Sequence, residues 1–78
     1  MERKYLKQLR TELGLTQQGL ASILGISAIY VRKIEKGTVK PGRDTLVVYE
    51  KFFKISMKDL FPDIFFEPVD TKFIKKIV

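Results

Sequence analysis

Apolar and polar positions alternate most regularly between residues 16 and 37, TQQGLASILGISAIYVRKIEKG. Two short segments of helical period, Gln17–Leu24 and Ala28–Lys36, are joined there by Gly25-Ile26-Ser27. Leu20, Ala21 and Ile23-Leu24 give the first segment an inner face, and Val31 and Ile34 do so for the second. A hydroxyl residue precedes each segment, Thr16 or Ser27, and its oxygen can accept from a free backbone N–H of the first turn. Gly25 tolerates the positive φ at which the first helix must stop, and small Ala21 lets the two helices cross closely. The pattern predicts a helix-turn-helix. Spacing alone leaves a purely structural hairpin equally open.

The same reading extends along the chain. Leu6, Leu9 and Leu13 recur at i, i+3 and i+7, which predicts a first helix over residues 2–13, ended by Gly14 with Leu15 packed beside it. Arg3, Lys4 and Lys7 are read as a solvated face off that stripe. Gly19 inside the second helix costs about 1 kcal/mol against Ala, and points to close approach of another backbone. Residues 38–43 read as loop, because Pro41 and Gly42 both break helices. A fourth helix is expected to start at Asp44, whose carboxylate suits the positive end of the helix dipole. It runs to Phe53 with Leu46, Tyr49, Phe52 and Phe53 inward, and Val47 and Val48 widening the apolar arc. Ser56 and Asp59 make a capping box for a short fifth helix through Leu60-Phe61, which Pro62 ends.

In residues 62–78, Phe65, Phe66 and Val69 precede Asp70-Thr71, a helix-capping pair. Phe73-Ile74 and Ile77-Val78 then repeat at i, i+4, which fits a short helix better than a strand. Two roles for this extension stay open. It either closes the monomer's core over Val47 and Val48, or forms a dimer or partner interface.

Composition narrows the function. At 78 residues the chain makes one small domain, and 45% hydrophobic residues suffice for a folded core. A net charge of +6 suits a polyanionic partner such as nucleic acid. Without Cys or His there is no thiolate nucleophile, no thiolate or imidazole metal site and no histidine base. Ser22, Ser27 and Ser56 thus lack a partner base, and no glycine-rich loop leads into a helix to cradle phosphates, so no catalytic constellation and no cofactor is expected. Met1-Glu2-Arg3-Lys4 lacks an apolar signal core, and apolar runs stop at four residues, so a cytoplasmic protein is expected.

With these elements in place, residues 6–61 resemble the lambda-repressor/Cro-like (Xre-type) family of helix-turn-helix DNA-binding domains. Leu9-Arg10, Gly14-Leu15-Thr16-Gln17, Leu20-Ala21, Gly25-Ile26-Ser27, Val31 and Ile34-Glu35 carry the resemblance. It continues through Gly37, Pro41, Thr45-Leu46, Ile55-Ser56 and Leu60-Phe61, about 56 of the 78 residues. The resemblance implies an all-α, compact five-helix domain over residues 1–61, with residues 62–78 as a C-terminal extension. It further implies a bacterial or phage transcription regulator, nucleoid-associated, binding operator DNA as a homodimer. A repressor is the expected sign of regulation. The competing reading is an antitoxin-like protein-interaction module with secondary DNA binding.

The helix Ala28–Lys36 is then expected in the major groove. Ser27, Ala28, Ile29, Arg32 and Lys33 are its candidate base contacts. Ala28 and Ile29 can touch only thymine methyls, whereas Arg32 and Lys33 can donate to guanine O6 and N7. Many family members are polar at positions 28 and 29, so an unusual operator is expected. Gln17, Tyr30, Lys36, Thr38, Lys40 and Arg43 are the candidate backbone contacts. From Ser27 to Arg43 five basic residues face one acidic residue, Glu35, which concentrates +4 of the net +6 there. In the resembled pattern Arg10 pairs with Glu35 to fix how two helices cross, a structural role. Two departures stand out: Lys54 occupies a place where the family often ends the fourth helix with Gly, and Glu50 stands where a small apolar residue is usual.

Overall fold

The computed structural model describes residues 2–66, and these are helical with short connections. The order is α1 (Lys4–Glu12), α2 (Gln17–Leu24), α3 (Ala28–Lys36), α4 (Arg43–Phe53), α5 (Met57–Leu60) and α6 (Pro62–Phe65). Leu6 of α1, Leu20, Ala21 and Leu24 of α2, and Val31 and Ile34 of α3 bury one side of the core. Leu46 and Tyr49 of α4, with Leu60 and Phe61, close it from the other side. Phe61 meets the Tyr49 ring edge-on at 5.4 Å, a geometry that matches ring edge to ring face.

The caps of the central pair follow the residues written there. Thr16 Oγ1 accepts from Gly19 N–H at 2.9 Å, and Ser27 Oγ accepts from Tyr30 N–H at 3.0 Å. Gly25, at φ 75°, ends α2, and Ile26 N–H returns to Ala21 O at 3.0 Å. Gly37, at φ 81°, ends α3 in the same way, with Thr38 N–H bonded to Lys33 O at 3.1 Å. Both positions lie in the left-handed region, where a Cβ is penalised. A Cβ on Gly19 would stand 3.3 Å from Thr16 Oγ1, so it is the capping oxygen, not another backbone, that comes close there.

Several expectations are corrected. The first helix is Lys4–Glu12, shorter at both ends than residues 2–13. Its buried stripe runs through Arg3, Leu6 and Arg10, while Leu13 caps the helix end and is 58% exposed. Arg3 is not solvated: it is 7% exposed. Ile23 turns out of the core at 52% exposure and borders a shallow apolar groove with Leu24, Val48 and Phe52. Helix α4 begins one residue early, at Arg43, with Gly42 as N-cap, so Asp44 sits in the first turn and acts on the dipole without capping. Helix α5 stops at Leu60, and Pro62 opens a sixth helix instead of ending the fifth. Proline is favoured there because its missing N–H would have had no intrahelical acceptor.

Glu50 has a definite task. Its Oε2 accepts from Met57 N–H at 2.9 Å, while Ser56 Oγ accepts from Lys58 N–H at 3.2 Å, so α4 and Ser56 together cap α5. Lys54 caps α4 in the left-handed region, at φ 57°. The helix expected near residues 70–78, and its packing over Val47 and Val48, lie outside the described residues.

Candidate nucleic-acid interface

Helix α3 presents two faces. Val31, Ile34 and Glu35 are buried against α1 and α2, while Ile29, Arg32, Lys33 and Lys36 are exposed on the opposite side. Ile29, 60% exposed near the helix start, is a large apolar side chain held in solvent. Ser27 is exposed beside it. Ala28 and Tyr30, also on the candidate list, are only partly exposed and rest against the core. Thr38, Lys40 and Arg43 continue the exposed surface beyond the helix. Thr38 Oγ1 is engaged with Lys33 O at 3.2 Å.

A buried polar knot fixes this helix. Arg10 Nε donates to Glu35 Oε2 at 2.7 Å and Nη2 to Glu35 Oε1 at 3.1 Å, a bidentate pair. The remaining guanidinium nitrogen, Nη1, donates to Leu15 O at 2.8 Å. Gln17 Nε2 adds a third donor to the carboxylate, reaching Oε1 at 3.2 Å. Thus Gln17, expected at the DNA backbone, spends its amide nitrogen on bracing α3. Glu35 and Arg10 are 4% and 6% exposed, so the charges compensate one another out of water. The knot joins α1, α2 and α3 and sets the direction in which Arg32 and Lys33 point.

A second anchor went unread in the sequence. The Arg3 side chain donates to Ile34 O at 2.6 Å and Val39 O at 2.9 Å, and forks onto Asp63 at 3.2 and 2.9 Å. Its own backbone N–H donates to Glu35 O at 2.7 Å. A signal did exist: Arg3 stands three residues before Leu6 and seven before Arg10, on the very stripe that faces the core. Charge, read as exposure, concealed it. Nothing in the sequence marked Asp63 as its partner 60 residues away.

Residues 6–60 match the helix-turn-helix family HTH_3, the Xre and lambda-repressor-like kind. The chain belongs to that helix-turn-helix family. It is accordingly a DNA-binding helix-turn-helix regulator, of a family that is regulatory and not enzymatic. No curated protein and no solved structure matches the chain significantly. Within this helix-turn-helix, α2 and α3 are the two helices of the motif, and residues 25–27 its turn. No group of His, Cys, Asp or Glu among the described residues is placed to hold a metal ion. No helix among them is long and apolar enough to cross a membrane.

Proposed function

We propose that this chain is a sequence-specific transcriptional repressor that binds double-stranded DNA as a homodimer, with α3 in the major groove of each half-site. The observation that carries the reading is the division of α3. Its inner face is locked by the Arg10–Glu35 pair, and its outer face offers Ile29, Arg32, Lys33 and Lys36 to solvent. A groove-reading helix must be rigid against its scaffold and bare toward the base edges.

Ser27, Ala28, Ile29, Arg32 and Lys33 are assigned to the bases. Lys33 and Arg32 donate to guanine, and Ile29 packs on thymine methyl groups. Lys36, Thr38, Lys40 and Arg43 are assigned to phosphates. Tyr30 and Gln17 support the surface from its edge. The regulatory unit is residues 1–61, and residues 62–78 are an extension of it. Selection of bound fragments from random duplex DNA tests the reading directly. A two-fold symmetric site enriched in guanine and thymine at the α3 positions is expected. Recovery of no preferred sequence would overturn it.

A further inference from the structure

Arg3 touches three separated parts of the fold at once: the end of α3, the loop after it, and the start of α6. Nη1 holds the carbonyls of Ile34, in the last turn of α3, and of Val39, in the loop that follows. The backbone N–H takes the Glu35 carbonyl at 2.7 Å. Nε and Nη2 fork onto the Asp63 carboxylate of α6, and the guanidinium lies 5.6 Å from the centre of the Phe61 ring. The planar fork matches a carboxylate in a way that a lysine ammonium cannot. A cation also sits favourably at the C-terminal end of α3, where unpaired carbonyls collect negative charge.

The position of these acceptors matters more than their number. Ile34 and Val39 flank Gly37, the point where the chain leaves α3 and turns toward Lys40 and Arg43. One guanidinium nitrogen thus sets the distance between the end of α3 and the loop that carries the basic residues beyond it. Asp63 sets the guanidinium in turn. Its side chain keeps 25% of its surface in solvent, whereas that of Arg3 keeps 5%. The order from the surface inward is α6, Asp63, Arg3, and then both sides of the α3 exit.

We propose that Arg3 is a positioning residue for the DNA-facing surface, holding residues 38–43 in register with α3, and that Asp63 of α6 governs this hold. The proposal rests on the DNA-binding reading above. Neither residue touches DNA; their effect reaches it through the Ile34 and Val39 carbonyls. Loss of the hold lets the loop drift, so a phosphate contact beyond α3 weakens while the base contacts of α3 stay in place.

The test uses the full chain with Arg3→Lys and Asp63→Asn, on the selected site and on random duplex, across a salt series well below the melting temperature. Backbone amide signals of Thr38, Val39, Lys40 and Gly42 are recorded on the same samples. Arg3→Lys keeps the charge and removes the fork; Asp63→Asn keeps the shape and disturbs only a partly exposed partner, so it guards against loss of folding. In both, the amides of Thr38, Val39, Lys40 and Gly42 are expected to move and affinity for both duplexes to fall several-fold. The salt slope should drop by about one unit, and the ratio of specific to random binding should be retained. Unchanged amide signals in both folded variants would overturn the hold itself. Moved amides with a wild-type salt slope and affinity would overturn its positioning role. Failure of the wild type to bind any duplex is a separate result that needs no variant, and it overturns the functional reading instead.

Discussion

Lys54 and Tyr49 show how single side chains tolerate a local penalty. Lys54 ends α4 at φ 57°, where a Cβ crowds the following carbonyl. Glycine has no such conflict, though it loses more freedom on folding. Lys54→Gly is therefore expected to stabilise the protein by about 0.5–1 kcal/mol in chemical denaturation; no gain would mean the left-handed turn is unstrained. Tyr49 is fully buried, and its hydroxyl is the buried side-chain atom without a hydrogen-bond partner among the described residues. Burial, then the negative charge of Glu35, push its phenol above the ordinary value of 10.0. Tyr49→Phe removes an unsatisfied group at little change in volume, and a gain of up to about 1 kcal/mol at neutral pH is expected.

The sign of the pH effect at Tyr49 follows from linkage. The folded protein keeps the proton on Tyr49 while the unfolded chain releases it near 10.0, so this contribution is whole below that pH and lost as pH rises above it. The stability advantage of Tyr49→Phe over wild type should therefore widen above pH 10.0. Parallel curves of stability against pH would show that the phenol ionises equally well in the folded state.

At the scale of elements, polar groups do the joining. Glu50 of α4 caps α5, a helix of four residues that could not hold itself in water. Glu50→Ala is expected to cost about 1 kcal/mol, the usual value of a lost N-cap, with a drop in protection of the Met57 and Lys58 amides against hydrogen exchange. The Arg10–Glu35 pair has larger consequences. Glu35→Ala leaves the buried guanidinium with Leu15 O as its remaining acceptor, and a loss of about 3–5 kcal/mol is expected. The denaturation midpoint should fall to match. A loss below about 1 kcal/mol would mean that water reaches Arg10 in the variant and replaces the carboxylate.

The molecule as a whole is a small basic body in which α3 is braced by the Arg10–Glu35 pair, the helix proposed above to read DNA. Two such bodies related by two-fold symmetry would place their α3 helices about 34 Å apart, one turn of the duplex. Lys33→Ala should relax base preference, costing about 1–3 kcal/mol at the selected site. Arg43→Ala should weaken all duplexes alike and lower the salt slope by about one unit. Binding titrations on selected and random duplexes read both. An unchanged ratio of specific to random affinity in Lys33→Ala would remove that residue from the bases.

Local signals in the sequence determined the central helices. Thr16, Gly25, Ser27 and Gly37 act within their own turns, through a hydroxyl that reaches three residues ahead or a backbone that accepts positive φ. Such effects need no partner distant in the chain, so residues 16–37 were legible before any folding. The likeness to a known pattern supplied the Arg10–Glu35 pair, which spacing could not. Tertiary structure alone decided the rest. Whether Arg3 is solvated or buried depends on Asp63, 60 residues on, and on two carbonyls that exist as acceptors only once α3 has ended. Glu50 reads as a misplaced charge until α5 folds against it and presents Met57 N–H. A charged side chain has no fixed address in a sequence: water will always take it, and only the assembled fold shows whether a better partner stands within reach.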